Sequence, residues 1–189
     1  MCEDENMLYI MRHGKTEWNA KHKLQGRTDI SLSEDGRMMA ENAWKEYRDI
    51  HFDICYCSPL SRAKETAEIL LKERNVPIII DERLIEMCFG VYEGIENSFQ
   101  NPECPINILF QNPERYITPV EDAESFKELY SRTGEFIKEI VEPELKQGKD
   151  ILIVGHGAMN SSIVCQIKNI PIEKFWSAGI DNCKLIRLI

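Results

Sequence analysis

The chain has 189 residues, of which 43% are apolar and 29% charged, with a net charge of −9. That length suits one domain with room for a small insertion, and the apolar share is enough for a sizeable core. The acidic balance argues against nucleic acid or an anionic membrane as partner, since both need a basic surface, and no apolar run approaches the roughly 18 residues of a membrane helix.

The start, Met1-Cys2-Glu3-Asp4-Glu5-Asn6, is acidic where a secretory signal is basic, so a cytoplasmic protein is expected. The seven cysteines are odd in number and contain no CxxC pair, which reads as reduced, structural thiols rather than a disulfide or zinc framework. Oligomeric state leaves no mark in the sequence.

The first predicted strand, residues 7–11, runs into Arg12-His13-Gly14-Lys15-Thr16. In open α/β sheets ligands bind at the carboxyl ends of strands, and Arg12 and His13 fall there. A predicted helix follows over 34–49, with Ser33 as its N-cap and Gly36, Ala40, Ala43, Trp44 and Tyr47 on one face. The strand at 52–57 leads into Ser58-Pro59-Leu60-Ser61-Arg62-Ala63 and a helix over 59–74, with Ser58 as cap. Arg62 then sits in the first turn, where a cation opposes the helix dipole unless an anion is bound beside it.

The third strand, 76–80, leads to Glu86, a carboxylate among apolar neighbours. Partial burial of that kind raises a carboxyl pKa and suits a proton donor. Residues 95–122 interrupt the strand–helix rhythm with Pro102, Pro105, Pro113 and Pro119 among large apolar groups. They read as a lid-like insertion over the sheet rather than a disordered linker. A long helix is predicted over 123–145, weakened by Gly134 and kinked or ended by Pro143.

The fourth strand, 151–154, ends in Gly155-His156-Gly157-Ala158 before another helix, and a last strand covers 183–189. The glycines lack the third member and the position of a dinucleotide fingerprint, since Asn160 stands where that glycine belongs. Strands alternating with helices imply an α/β fold, with a mostly parallel sheet and helices on both faces.

Each of these signals alone is also explained by a solvated side chain at a turn. Together, four strand-to-helix junctions deliver two histidines, two arginines and a carboxylate to one sheet edge. That set suits phosphoryl transfer, which needs a nucleophile, cations around the equatorial oxygens and an acid for the leaving oxygen.

The blocks carrying these residues resemble the histidine phosphatase superfamily, the phosphoglycerate-mutase-like proteins. They are Arg12-His13-Gly14 with Thr16, Trp18 and Asn19; Gln25-Gly26-Arg27-Thr28-Asp29; Ser58 to Ala63 with Thr66-Ala67; Glu86 with Phe89-Gly90 and Glu93-Gly94; and Gly155-His156-Gly157. Glu124-Ser125 and Arg132 resemble a weaker motif. The resemblance implies that His13 attacks phosphorus and is phosphorylated, that Arg12, Arg62 and His156 hold the phosphoryl oxygens, and that Glu86 protonates the leaving group. It implies further phosphate or substrate contacts at Thr16, Asn19, Gln25, Gly26 and the N–H of Ala158, with no metal and no cofactor. Cys88 and Ala123 depart from the pattern, where relatives carry Asp or Asn and glycine. The expected activity is hydrolysis of a small phosphorylated metabolite. Phosphoglycerate mutation is the alternative, and a non-catalytic phospho-ligand module the third reading. The short 95–122 segment, with Arg115 as its one basic residue, favours hydrolysis.

Overall fold

A computed structural model describes residues 6–117 and 120–189. Cys2 and Pro119 of the readings above lie outside them. Among the described residues the strands are β1 (Leu8–Arg12), β2 (Ile54–Cys57), β3 (Ile78–Ile80), β4 (Ile151–Gly155) and β5 (Leu185–Arg187). They form one sheet in the order β3-β2-β4-β1-β5, parallel throughout except for β5, which runs antiparallel to β1.

The helices are α1 (Glu17–Ala20), α2 (Glu34–Glu46), α3 (Ser61–Leu71), α4 (Asn107–Gln111), α5 (Phe126–Phe136), α6 (Glu142–Lys146) and α7 (Gly157–Lys168). The period of two along the strands assigns their side chains to two layers. Met11, Cys55, Cys57, Leu152 and Val154 face Ala40, Ala43, Ala63, Ala67 and Leu70 of α2 and α3. Leu8, Ile10, Ile54, Tyr56, Ile151 and Ile153 face Phe136, Met159 and Ile163 of α5 and α7. Cys55 and Cys57 are fully buried there as small hydrophobes. The central strands are covered on both faces as expected, but Ile79 and Ile80 are half-exposed because β3 is an edge strand.

Two helices differ from expectation for identifiable reasons. The rod predicted over 123–145 begins at Phe126, after a Ser125/Glu128 capping box, and runs through Pro143. A π turn at Ile137–Val141 absorbs the proline: the Glu142 N–H donates to Ile137 O, and the helix restarts with Pro143 in its first turn, where no N–H is needed. Gly134 is a packing residue, because a Cβ there would stand 2.7 Å from Gln166 Oε1 of α7. The second departure is α3, which starts at Ser61 with no cap from Ser58. Asp29 Oδ1 instead accepts from the Ser61 N–H at 2.8 Å and its hydroxyl at 2.7 Å, supplying the negative charge that Arg62 requires at this terminus.

A third cluster joins the segment over the sheet edge to the helical layer. Ile106, Leu109 and Tyr116 are buried against Met87, Phe89, Leu129, Cys165 and Phe175. Phe175 belongs to a 3-10 segment, Ile172–Ala178. Among the described residues no helix is long and apolar enough to cross a membrane.

Candidate active site

The carboxyl ends of β1 to β4 converge on a cavity of about 290 Å³. Of the residues singled out in the sequence, Arg12, His13, Asn19, Gln25, Gly26, Arg62, Glu86 and Ala158 line it. His156 and Thr16 do not; both are fully buried behind it.

His13 leaves β1 with its N–H bonded to Gly155 O at 3.0 Å. Its ring Nδ1 lies 2.6 Å from Gly14 O, and a carbonyl only accepts, so the hydrogen is on Nδ1. Nε2 is left with its lone pair, toward which Arg62 Nε donates at 3.2 Å. Burial, then Arg62 and Arg12, push the His13 pKa well below the ordinary imidazole value, with the Gly14 bond opposing. Its ring is therefore neutral at neutral pH.

Arg62 is fully buried, and its other nitrogens donate to Thr28 O at 2.9 Å and Gly26 O at 2.7 Å. Desolvation brings its pKa down to about 10, which leaves it charged at neutral pH. The loop that supplies those carbonyls is held by Glu93, which accepts from the Arg27 and Thr28 N–H groups at 3.0 Å each and from the Thr28 hydroxyl at 2.6 Å. Gly26 has φ +53°, and a Cβ on it would fall 1.9 Å from Glu93 Oε1, so this position requires glycine.

His156 lies with its ring centroid 5.1 Å from that of His13. Its pKa is lowered first by burial and then by Arg62, His13 and Arg12. Ser58, predicted as a helix cap, instead places Oγ 2.7 Å from His156 Nε2. Ser58 Oγ also accepts from the Leu60 N–H at 3.3 Å. With Ser58 as the donor to Nε2, the imidazole hydrogen lies on Nδ1, a buried atom with no partner among the described residues. Arg12 Nε is likewise buried and unpartnered, while its Nη1 donates to Ile180 O at 3.3 Å. Two unmatched buried donors in a cage of fixed positive charge match an anion.

Glu86 Oε1 accepts from the Met87 and Met159 N–H groups at 2.8 and 2.9 Å. Oε2 accepts from the Ala158 N–H at 3.2 Å, so the donor expected to face phosphate is taken by the carboxylate at the start of α7. Thr16 donates to Gln25 Oε1 at 2.9 Å, and Asn19 Oδ1 accepts from the Thr16 N–H at 3.0 Å. With both amide oxygens engaged, the NH₂ groups of Asn19 and Gln25 remain for the cavity. Thr16 is thus a positioning residue behind them.

Thr66 and Phe89 belong to the blocks quoted above with no role assigned, and Asn182 and the remaining wall residues carry no motif. Asn182 Nδ2 donates to His13 O at 2.6 Å, and Thr66 Oγ1 accepts from the Gly14 N–H at 3.0 Å. The far wall comes from Leu24, Phe89, Phe99, Phe110 and Trp176, with His22 and Lys23 beside them. Cys88 bonds Asp122 O at 3.2 Å, and burial raises its pKa, as a packed thiol requires.

A parallel α/β sheet that gathers two imidazoles, two guanidiniums and a carboxylate at one edge defines a phosphoryl-transfer enzyme. The chain belongs to the histidine phosphatase superfamily, whose branch 1 model matches residues 8–189. It is 32% identical over 169 residues to a 2,3-bisphosphoglycerate-dependent phosphoglycerate mutase of Cytophaga hutchinsonii, covering 88% of this chain and 79% of the relative. It is 29% identical over 175 residues to phosphoserine phosphatase 1 of Hydrogenobacter thermophilus, covering 93% and 82%. The solved structure of Bacillus stearothermophilus YhfR superposes with TM-score 0.85 at 31% identity, covering 96% and 90%. The family resemblance and the expected α/β fold are therefore correct, and the chain is a phosphatase acting on phosphate monoesters.

Proposed function

We propose that the chain hydrolyses a small phosphorylated metabolite through a phosphohistidine on His13 Nε2. The observation that carries this reading is the His13 tautomer: Nδ1–H is tied to Gly14 O, so the lone pair is on Nε2, in the cavity and beside the Arg62 guanidinium. Nε2 attacks phosphorus as the ester P–O bond breaks. The cavity-lining Glu86, whose Oε2 accepts one N–H against two at Oε1, gives the leaving oxygen its proton. A water then gives a proton back to Glu86 and attacks phosphorus. The P–N bond breaks, phosphate leaves, and His13 is neutral again.

Arg12, Arg62 and the His156 Nδ1–H hold the phosphoryl oxygens in this reading, with Asn19 and Gln25 as further donors. The guanidiniums supply the charge that a metal supplies elsewhere, so EDTA leaves turnover unchanged. Residues 95–122 act as the lid of a single domain. Six free thiols among the described residues suit a reducing compartment, so we place the reaction in the cytoplasm.

Hydrolysis is favoured over mutation because the described part of 95–122 lends the cavity only Phe99 and Phe110. A mutase must hold a bisphosphorylated intermediate, and the described part of this segment adds no cation to Lys23 for the second phosphate. The test is acid-labile label: a radiolabelled phosphomonoester marks the wild type and leaves His13→Ala unmarked. Isomerisation of 3-phosphoglycerate in the presence of 2,3-bisphosphoglycerate, at a rate matching hydrolysis, overturns the choice between the two activities.

A further inference from the structure

The polar groups of the cavity are concentrated on its floor, at the strand ends and the loops beside them. The opposite wall is made of Leu24, Phe89, Phe99, Phe110 and Trp176. Phe110 stacks on Trp176 with ring centroids 5.0 Å apart and contacts Phe99 at 5.5 Å and Phe89 at 5.9 Å. This wall has almost no hydrogen-bonding capacity left. The Trp176 indole N–H donates to Leu109 O at 2.8 Å.

Part of the wall's backbone is engaged as well. Leu24 O accepts from Gly94 at 2.8 Å, and Phe99 O from Asn107 Nδ2 at 2.8 Å. The Phe89 N–H donates to Glu93 Oε1 at 3.1 Å. Charge on this side comes from Lys23, and among the described lining residues Glu86 is the one acid. A carboxylate at the mouth finds Lys23; an ammonium finds no carboxylate on the wall.

We propose that this wall is the subsite for the alcohol part of the substrate, and that it selects phosphate monoesters of aromatic or other bulky apolar alcohols over zwitterionic ones such as phosphoamino acids. The inference rests on the phosphatase reading of the floor. The chemistry follows from desolvation. A polar leaving group loses water against ring carbons and recovers no hydrogen bond, whereas a ring buries apolar surface on both sides of the contact. Phe99 and Phe110 are half-buried and come from the insertion, so the insertion sets specificity while the strand ends set chemistry.

The test compares alkyl phosphates of similar leaving-group acidity on the wild type: benzyl phosphate, ethyl phosphate and O-phosphoserine. Benzyl phosphate is expected to exceed both in kcat/KM by about tenfold or more, the discrimination an apolar pocket ordinarily provides. Competitive inhibition gives a second reading without turnover, with benzylphosphonate expected to bind about tenfold more tightly than methylphosphonate. In Phe99→Ala and Phe110→Ala the ratio of benzyl to ethyl phosphate kcat/KM is expected to fall toward one. If either variant does not fold, the wild-type phosphonate comparison decides. Equal values for the three esters, or a preference for O-phosphoserine, overturn the subsite while acid-labile label on His13 still upholds the floor chemistry. Absence of label with every ester overturns the phosphatase reading instead.

Discussion

Arg62 shows how much one side chain carries. Its Nε faces the His13 lone pair while its Nη groups hold the carbonyls of Gly26 and Thr28, so one planar fork fixes both the nucleophile and the loop beside it. A lysine keeps the charge but not that geometry. Arg62→Lys is expected to lose about 3 kcal/mol of transition-state stabilisation, roughly a hundredfold in kcat. Retention of more than a third of wild-type kcat removes the positioning role. Glu86→Gln gives an independent reading: alkyl phosphates, which need a protonated leaving oxygen, lose far more than p-nitrophenyl phosphate, and equal losses remove Glu86 from the acid role. Arg62 was legible in the sequence as an unfavourable cation at a helix start. Ser58 was misread because a serine before a proline and a helix is a good cap by local rules, and only the fold brings His156, the residue after β4, beside it.

At the scale of elements, the loop bearing Glu86 is clamped from the start of α5. The Glu124 carboxylate, nearly buried, pairs with Arg132 Nε at 2.6 Å and Nη2 at 2.9 Å, and accepts from the Cys88 N–H at 3.3 Å. Arg132 Nη1 in turn donates to Arg83 O and Ile85 O at 2.6 and 2.7 Å. The pair therefore grips the backbone on both sides of Glu86 without entering the cavity. Glu124→Gln is expected to cost about 3 kcal/mol in urea unfolding, since it leaves Arg132 partly uncompensated. It is also expected to lower kcat about tenfold or more for alkyl phosphates, with a smaller loss for p-nitrophenyl phosphate, because a displaced acid matters least when the leaving group needs no proton. Equal losses on both substrates make Glu124 a purely structural residue. This clamp was visible in the sequence only as a weak Glu-Ser…Arg motif, because hydrogen bonds to main-chain carbonyls leave no pattern in residue identity. The strands were legible because parallel strands buried on both faces read as continuous apolar runs. The extent of the long helix was not, because a π turn that accommodates Pro143 has no sequence rule of comparable strength.

For the whole molecule, a net charge of −9 coexists with a site of concentrated positive potential, and that arrangement carries a cost at low pH. Burial, and then Arg62 and Arg12, keep His13 and His156 neutral, with both folded-state pKa values well below the ordinary imidazole value of about 6.5. As pH falls below that value the unfolded chain takes up two protons that the folded chain refuses. The native state is thus favoured above about pH 6.5 and loses stability as pH falls toward the folded-state pKa values, with a limiting slope of about 2.7 kcal/mol per pH unit for two such groups. Urea unfolding between about pH 5.5 and 6.5, before most carboxylates titrate, measures the rise from about half of that slope toward its limit. His13→Asn and His156→Asn are each expected to halve the contribution, and the double variant to abolish it. Inorganic phosphate binds the folded cage and not the unfolded chain, so saturating phosphate raises stability across the whole window. A wild-type stability that stays flat through this range means that the two imidazoles protonate in the folded protein. In that case burial and the arginines do not lower the two pKa values, and it is not the cage that keeps His13 Nε2 unprotonated.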